Sequence, residues 1–183
     1  WGYRMGDGVL YDSMLRDGLN DAFTDKHAGV ITEEYLVPKY NISREEQDKF
    51  AYESHMKASK AQEEGYFKEQ IVPITLKDGK IFDFDESVRK DTTIEKLSKL
   101  KPAFKENGTI TAGNAPGLNS GAAAMIISTY EKAKEYNFDI FGRVISYGVS
   151  GVDPNMFGIA PVYEIRKTLE RANLKIQDIE LFE

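Results

Sequence analysis

The chain has 183 residues, 41% hydrophobic and 30% charged, with two histidines, no cysteine and a formal charge of −6. At that length roughly 70% of the unfolded surface can be hidden, enough for a core in one domain or two. No apolar run approaches the ~18 residues of a membrane-spanning helix, and no basic, then apolar leader opens the chain in support of secretion. An acidic balance with interspersed signs argues against binding a nucleic-acid backbone. The lack of cysteine removes disulfides, thiolate metal sites and any thiol nucleophile from this polypeptide.

From Trp1 to about Asn41 glycines interrupt short periodic stretches, and the helical spacing of Leu10, Met14 and Leu15 stops at Gly18. This predicts an irregular segment with short helices. The clearest helix starts at Ser43, which with Glu46 forms the S-x-x-E capping box. Phe50, Ala51, Ser54, Ala58 and Ala61 share one face, and Gly65 offers a left-handed stop. A stripe built on Ala rather than Leu predicts close approach to a neighbour.

Ile71 to Leu76 and Lys80 to Phe84 read as strands joined through Asp78-Gly79, a strong hairpin signal. Thr92 with Glu95 offers a second capping box, for a short helix ending before Pro102. Asn107 to Ser120, rich in glycine and asparagine, reads as a turn-rich loop.

Gly121 to Ile127 is small, then continuously apolar, as expected of a strand covered on both faces. Ser128 with Glu131 makes a third capping box, for a helix ending near Asn137, and Arg143 to Val149 reads as another strand. Pro161 at a first helical position opens a helix with Val162, Ile165 and Leu169 facing inward, and Ile179 to Glu183 reads as a strand. Alternating strands and helices over the last third predict an α/β layer. A first residue other than methionine, and a last residue inside a predicted strand, are expected of a piece of a longer polypeptide.

Several constellations point nowhere specific. Asp83, Asp85 and Glu86 carry hard oxygen ligands at short spacing, but they lack an EF-hand glycine and end a hairpin, so a solvated turn is the expectation. The glycine-rich stretch lacks the Lys-Ser/Thr ending of a phosphate loop, and no Ser/His/Asp triad can be assembled. Lys77, Lys80 and Lys90 form no basic stripe.

Other blocks are more telling together. Met5-Gly6-Asp7, Asp17-Gly18-Leu19, Ile42 to Asp48 (I-S-R-E-E-Q-D), Glu69 to Pro73 (E-Q-I-V-P) and Lys99 to Phe104 (K-L-K-P-A-F) come first. Gly108 to Asn119 (G-T-I-T-A-G-N-A-P-G-L-N), Gly151 to Pro154 (G-V-D-P) and Asp178 to Glu183 (D-I-E-L-F-E) follow. In this order they resemble the thiolase family, the acetyl-CoA acetyltransferases, over essentially the whole chain. The resemblance implies an α/β class fold, as a thiolase-like fragment: an α+β loop domain plus part of the layered thiolase core. The loop domain, for coenzyme A binding and tetramerisation, would cover residues 1–119. The last strand and helix of the N-terminal core would cover 120–138, and the first β-α-β of the C-terminal core 139–183.

The resemblance also implies an acyltransferase whose parent interconverts two acetyl-CoA with acetoacetyl-CoA plus CoA. The family's cysteine nucleophile, G-H-P histidine, second cysteine and N-E-A-F asparagine are all missing from this sequence, so the chain alone is expected to be inactive. An acyl-CoA thioester would be the substrate, with no further cofactor and no metal, in a cytoplasmic homotetramer that binds neither nucleic acid nor membrane.

By resemblance the coenzyme A cradle maps to His27 in H-A-G, Arg89 at the nucleotide end, Phe104 and Ala112 on the wall, and Asn114 to Leu118 under the pantetheine. Lys96 and Pro116 stand where the family has serines, and Phe157 stands where a methionine lines the acyl pocket. Thr32 to Tyr35 (T-E-E-Y) departs from the family's T-A-E-N, and Pro38 is expected to strain any helix running through it. Two readings from another class remain: a non-catalytic coenzyme A-binding or assembly module, and a purely structural α/β domain.

Overall fold

A computed structural model describes residues 2–183; Trp1, the start of the irregular segment, lies outside them. The chain divides into two compact units, Trp1–Leu118 and Asn119–Glu183.

In the first unit a π-helical turn, Met14–Leu19, runs through Gly18, where the spacing predicted a stop. His27 then caps α1 (Ala28–Ile31): its Nδ1 accepts the Gly29 amide at 3.0 Å. The helix continues through a π-helical turn, Thr32–Leu36, into α2 (Val37–Tyr40), and Asn41 ends it at φ +51°. Pro38 is thereby accommodated rather than disruptive. It sits in the first turn of α2, and the wider i→i+5 turn before it, closed by Val37 N–H on the Thr32 carbonyl, relieves the ring's clash with the preceding turn.

The long helix α3 (Arg44–Glu63) carries the predicted capping box: Ser43 accepts the Glu46 amide while the Glu46 carboxylate accepts the Ser43 amide. That bond holds the Glu46 carboxyl below its ordinary range. The predicted stripe is corrected in part. Ala51, Ala58 and Ala61 are half-buried, but Phe50 is 76% exposed and Ser54 is exposed, whereas the buried positions are Asp48 and Ser59, with Tyr52 and His55 half-buried between them. The face that packs inward is partly polar, so a search for apolar spacing lands beside it.

The hairpin is present but short. Strands β1 (Ile74–Thr75) and β2 (Ile81–Phe82) pair antiparallel, Ile74 opposite Phe82 and Thr75 opposite Ile81, and Gly79 takes φ +82° in the turn. Helix α4 (Ile94–Ser98) is capped by Thr93, not Thr92, because the Thr92 amide is drawn into the preceding turn by the Arg89 carbonyl.

The unit is tied together largely by polar groups. Ile31, Leu36 and Leu97 are buried beside Glu33, Asp48, Ser59 and Thr111. The Glu33 carboxylate accepts the backbone amides of Thr109 and Ile110, both at 2.5 Å, and the Thr109 hydroxyl at 3.3 Å. Arg44 Nε donates to Asp48 at 2.8 Å, and Arg44 Nη2 donates to the Leu97 and Leu100 carbonyls, within and just past the end of α4 respectively.

In the second unit α5 (Tyr130–Glu135) is capped by Thr129 rather than Ser128, with Lys132 as the amide donor, so no reciprocal carboxylate bond forms. Asp153 caps the 3₁₀ turn Pro154–Ile159, which feeds α6 (Ala160–Ala172), ended by Asn173 at φ +54°. A further 3₁₀ turn spans Ile176–Asp178. The three predicted strands of this unit are corrected: residues 121–127, 143–149 and 179–183 form no ladder. A strand exists only by pairing, and among the described residues no strand pairs with these; 143–149 meets helix α6 instead, where Arg171 donates to the Tyr147 carbonyl at 2.7 Å. Most of their apolar side chains stand in solvent, Ile126 at 82% exposure, while Ile179 is half-buried. Of the predicted inward face of α6, Leu169 is half-buried while Val162 and Ile165 are exposed, and Ala133 is the fully buried residue of this unit among the described residues. No helix among the described residues is long and apolar enough to cross a membrane.

Two outcomes follow from this packing. Glu33→Ala strands the amides of Thr109 and Ile110 and should cost about 3 kcal/mol of stability, read as a shift in the urea midpoint; a cost under about 0.5 kcal/mol would mean that water replaces the carboxylate. Uncovered apolar segments pair with other chains, so the 183-residue chain should self-associate with concentration in sedimentation velocity. The pair Ile126→Lys and Ile145→Lys should return it toward a monomer.

Candidate functional site

The site is assembled on the turn after α4. The backbone doubles back there: Ala103 N–H donates to the Ile110 carbonyl at 2.8 Å, with Pro102 bridged to Thr111. This reversal carries Phe104 onto the start of α1, where its ring stacks on His27 with centroids 4.8 Å apart and planes 22° from parallel. Gly29 makes the approach possible, since a Cβ there would fall 2.5 Å from the Phe104 ring. His27 uses Nδ1 as an acceptor for the Gly29 amide, so its neutral ring presents Nε2 as an N–H donor.

The loop beyond is closed by its own side chains. Asn114 Oδ1 accepts the Thr111 amide at 2.7 Å, and its Nδ2 donates to the Thr109 carbonyl at 3.1 Å and to Asp48 at 2.9 Å. Thr111 is buried at the base of this turn, while Ala112, Pro116 and Leu118 are exposed on it. The predicted wall residues therefore lie on one loop, its first part held from below.

Arg89 occupies a different place. It lines a groove of about 590 Å³ with Phe67, Ile71, Phe84 and Val88; the polar rim carries the carboxylates of Asp83, Asp85, Glu86 and Asp91 and the ammonium groups of Lys68 and Lys90. The guanidinium forms no ion pair among the described residues. Its backbone is set by His55, whose Nδ1 accepts the Arg89 amide at 3.2 Å. Lys96 does not project freely. Its ammonium is 2.7 Å from the Asp91 carboxylate, which Lys96 first and Arg89 last hold below the ordinary carboxylate range. Arg89 and Lys96 thus flank one acidic side chain, with Lys96 already engaged by it.

Phe157 lies in the second unit on the 3₁₀ turn Pro154–Ile159, 42% exposed. Asp83, Asp85 and Glu86 belong to no group of three or more ligating side chains; none occurs among the described residues. Sequence reasoning missed Glu33, Asp48 and His55. Glu33 was legible only as an acidic residue between the apolar Ile31 and Leu36, and Asp48 only through its i, i+4 spacing from Arg44. Chemically the arrangement offers a loop with small and apolar exposed side chains, an aromatic–imidazole stack, and a guanidinium without an ion pair among the described residues in a groove that is apolar at its base and charged at its rim.

Comparisons with known proteins agree with one another. The family model described as Thiolase, N-terminal domain matches residues 1–131, and the one described as Thiolase, C-terminal domain matches residues 138–183. A Staphylococcus epidermidis protein named "Probable acetyl-CoA acyltransferase" is 49% identical over all of this chain, which covers 47% of it. Among solved structures, the Bacillus anthracis acetyl-CoA acetyltransferase superposes with a TM-score of 0.88 at 44% identity, over 99% of this chain and 46% of that one. The human mitochondrial 3-ketoacyl-CoA thiolase in complex with CoA also gives 0.88, at 38% identity, over 99% of this chain and 45% of that one. The chain spans about half the length of the curated relatives it matches. Matched along nearly its whole length in sequence and in backbone, the chain belongs to the thiolase family.

Proposed function

We propose that this chain supplies the coenzyme A-holding portion of an acetyl-CoA acetyltransferase, which interconverts two acetyl-CoA with acetoacetyl-CoA plus CoA. The observation that carries the reading is Arg89, which forms no ion pair among the described residues and lines a groove whose apolar part, Phe67, Ile71, Phe84 and Val88, would suit a purine ring, with Lys68 and Lys90 beside it for phosphate. The His27–Phe104 stack and the exposed face of Ala112, Pro116 and Leu118 would then flank the pantetheine arm. Phe157 would narrow the acyl pocket where the family has methionine. Lys96, held by Asp91, would contribute less to phosphate binding than Arg89.

Claisen condensation of two thioesters needs a thiolate to take up one acyl group and a base to remove a proton from the other. This chain has no cysteine, so it would position substrate and not perform the acyl transfer. In the working enzyme a cytoplasmic homotetramer is the proposed state; the exposure of Met5, in the Met5-Gly6-Asp7 block that by resemblance opens the loop domain of tetramerisation, supports the assembly. A non-catalytic coenzyme A module is the second reading, favoured by the same missing thiol. The reading frame on either side separates the two, since an upstream cysteine with downstream N-E-A-F and G-H-P segments belongs to the enzyme alone.

Calorimetric titration of the chain with coenzyme A should show saturable binding, and Arg89→Ala should weaken it at least tenfold while Lys96→Ala changes it less than threefold. Equal losses in both variants would remove the distinction drawn from the Lys96–Asp91 pair. No heat of binding in the unaltered chain would remove the coenzyme A reading. The chain by itself should leave acetoacetyl-CoA unchanged in the presence of CoA, and measurable thiolysis would overturn the division of labour.

A further inference from the structure

We infer that Asp48 is a positioning residue for the 109–114 turn, acting on bound ligand through Asn114; the ligand side of this rests on the coenzyme A reading above. Asp48 is 1% exposed and divides its carboxylate between two donors. One oxygen accepts Arg44 Nε at 2.8 Å and the other accepts Asn114 Nδ2 at 2.9 Å. Both demands require an acceptor without protons of its own, which an ionised carboxylate is.

The consequence falls on the orientation of the Asn114 amide. With Nδ2 turned to Asp48 and to the Thr109 carbonyl, Oδ1 is left facing the Thr111 amide, which it accepts at 2.7 Å. A flipped amide would set a carbonyl against the buried carboxylate and an NH₂ against an N–H, so the charge on Asp48 permits one orientation. That orientation pins the turn at both ends, at the Thr109 carbonyl and the Thr111 amide. Neighbouring Gln47 adds a second reach from α3, donating to the Thr109 hydroxyl at 2.8 Å. Through Arg44 the same carboxylate is coupled to the Leu97 and Leu100 carbonyls. A buried side chain on α3 thereby sets the conformation of a half-buried turn whose exposed residue is Ala112.

The discriminating variant is Asp48→Asn. It is nearly isosteric, yet whichever way its amide points, an NH₂ meets either Arg44 or Asn114. Asn114→Ala, at a half-buried position, removes the same tie from the loop side and keeps the test open should Asp48→Asn fold poorly. Two readouts apply to the 183-residue chain. Amide hydrogen exchange at Thr109, Ile110, Thr111 and Gly113 should accelerate at least tenfold in either variant, while amides in the middle of α3 keep their rates. Affinity for coenzyme A should fall at least tenfold, while affinity for adenosine 3′,5′-bisphosphate, which has the nucleotide end but no pantetheine, should stay within twofold.

Unchanged exchange in the turn would overturn the positioning role. Parallel loss of both ligands, or accelerated exchange throughout α3, would also overturn it by showing general destabilisation. A wild-type chain that binds the bisphosphate but not coenzyme A more tightly would overturn the link between turn and ligand. If it binds neither, the coenzyme A reading itself fails, and the exchange result alone then decides whether Asp48 sets the turn.

Discussion

Two buried carboxylates organise the first unit. Glu33 and Asp48 each sit out of water, where an ionised group without donors would cost several kcal/mol. Each is saturated by donors from distant parts of the chain: Glu33 by the amides of Thr109 and Ile110, Asp48 by Arg44 and Asn114. Charge-assisted bonds of this kind are directional and short. They therefore specify where α1, α3, α4 and the 104–114 reversal lie with respect to one another more sharply than the three buried aliphatic side chains beside them could.

The same arrangement accounts for how the candidate site is shared out. The turn bearing Ala112 is held from beneath by Glu33 and Asp48, and Phe104 enters that turn already stacked on the histidine that caps α1. Neither histidine is offered as a free base at Nδ1: His27 accepts the Gly29 amide and His55 the Arg89 amide. A turn backbone tied by side chains, an imidazole held by the Gly29 amide and a guanidinium without an ion pair among the described residues are the features on which the proposed role in orienting a ligand rests. They match a chain that carries no thiol to react with one.

The second unit is built differently. Its helices are properly capped, by Thr129 and Asp153, and α6 ends cleanly at Asn173. Yet among the described residues its apolar segments at 121–127 and 143–149 have no strand paired with them. Local signals are satisfied here while the long-range pairing that would bury the apolar side chains is absent, so helices form and strands do not. Matched proteins run to about twice this length.

Much was legible in the chain alone where the cause was local. The Ser43–Glu46 box, the Asp78-Gly79 turn and the Pro161 helix start depend on neighbours within four residues, and motif order from S-R-E-E-Q-D to T-A-G-N-A carried the family. Tertiary structure decided the rest. It turned Phe50 outward and Asp48 inward on one helix, because the partner of that face is a polar turn sixty-six residues away. It made Glu33 a buried anchor in a stretch that read as a degenerate motif, tied Lys96 to Asp91, and left the predicted strands of the second unit unpaired. Spacing along a chain reports which residues share a face; whether that face meets apolar side chains, backbone amides or water is settled by contacts that no local pattern encodes.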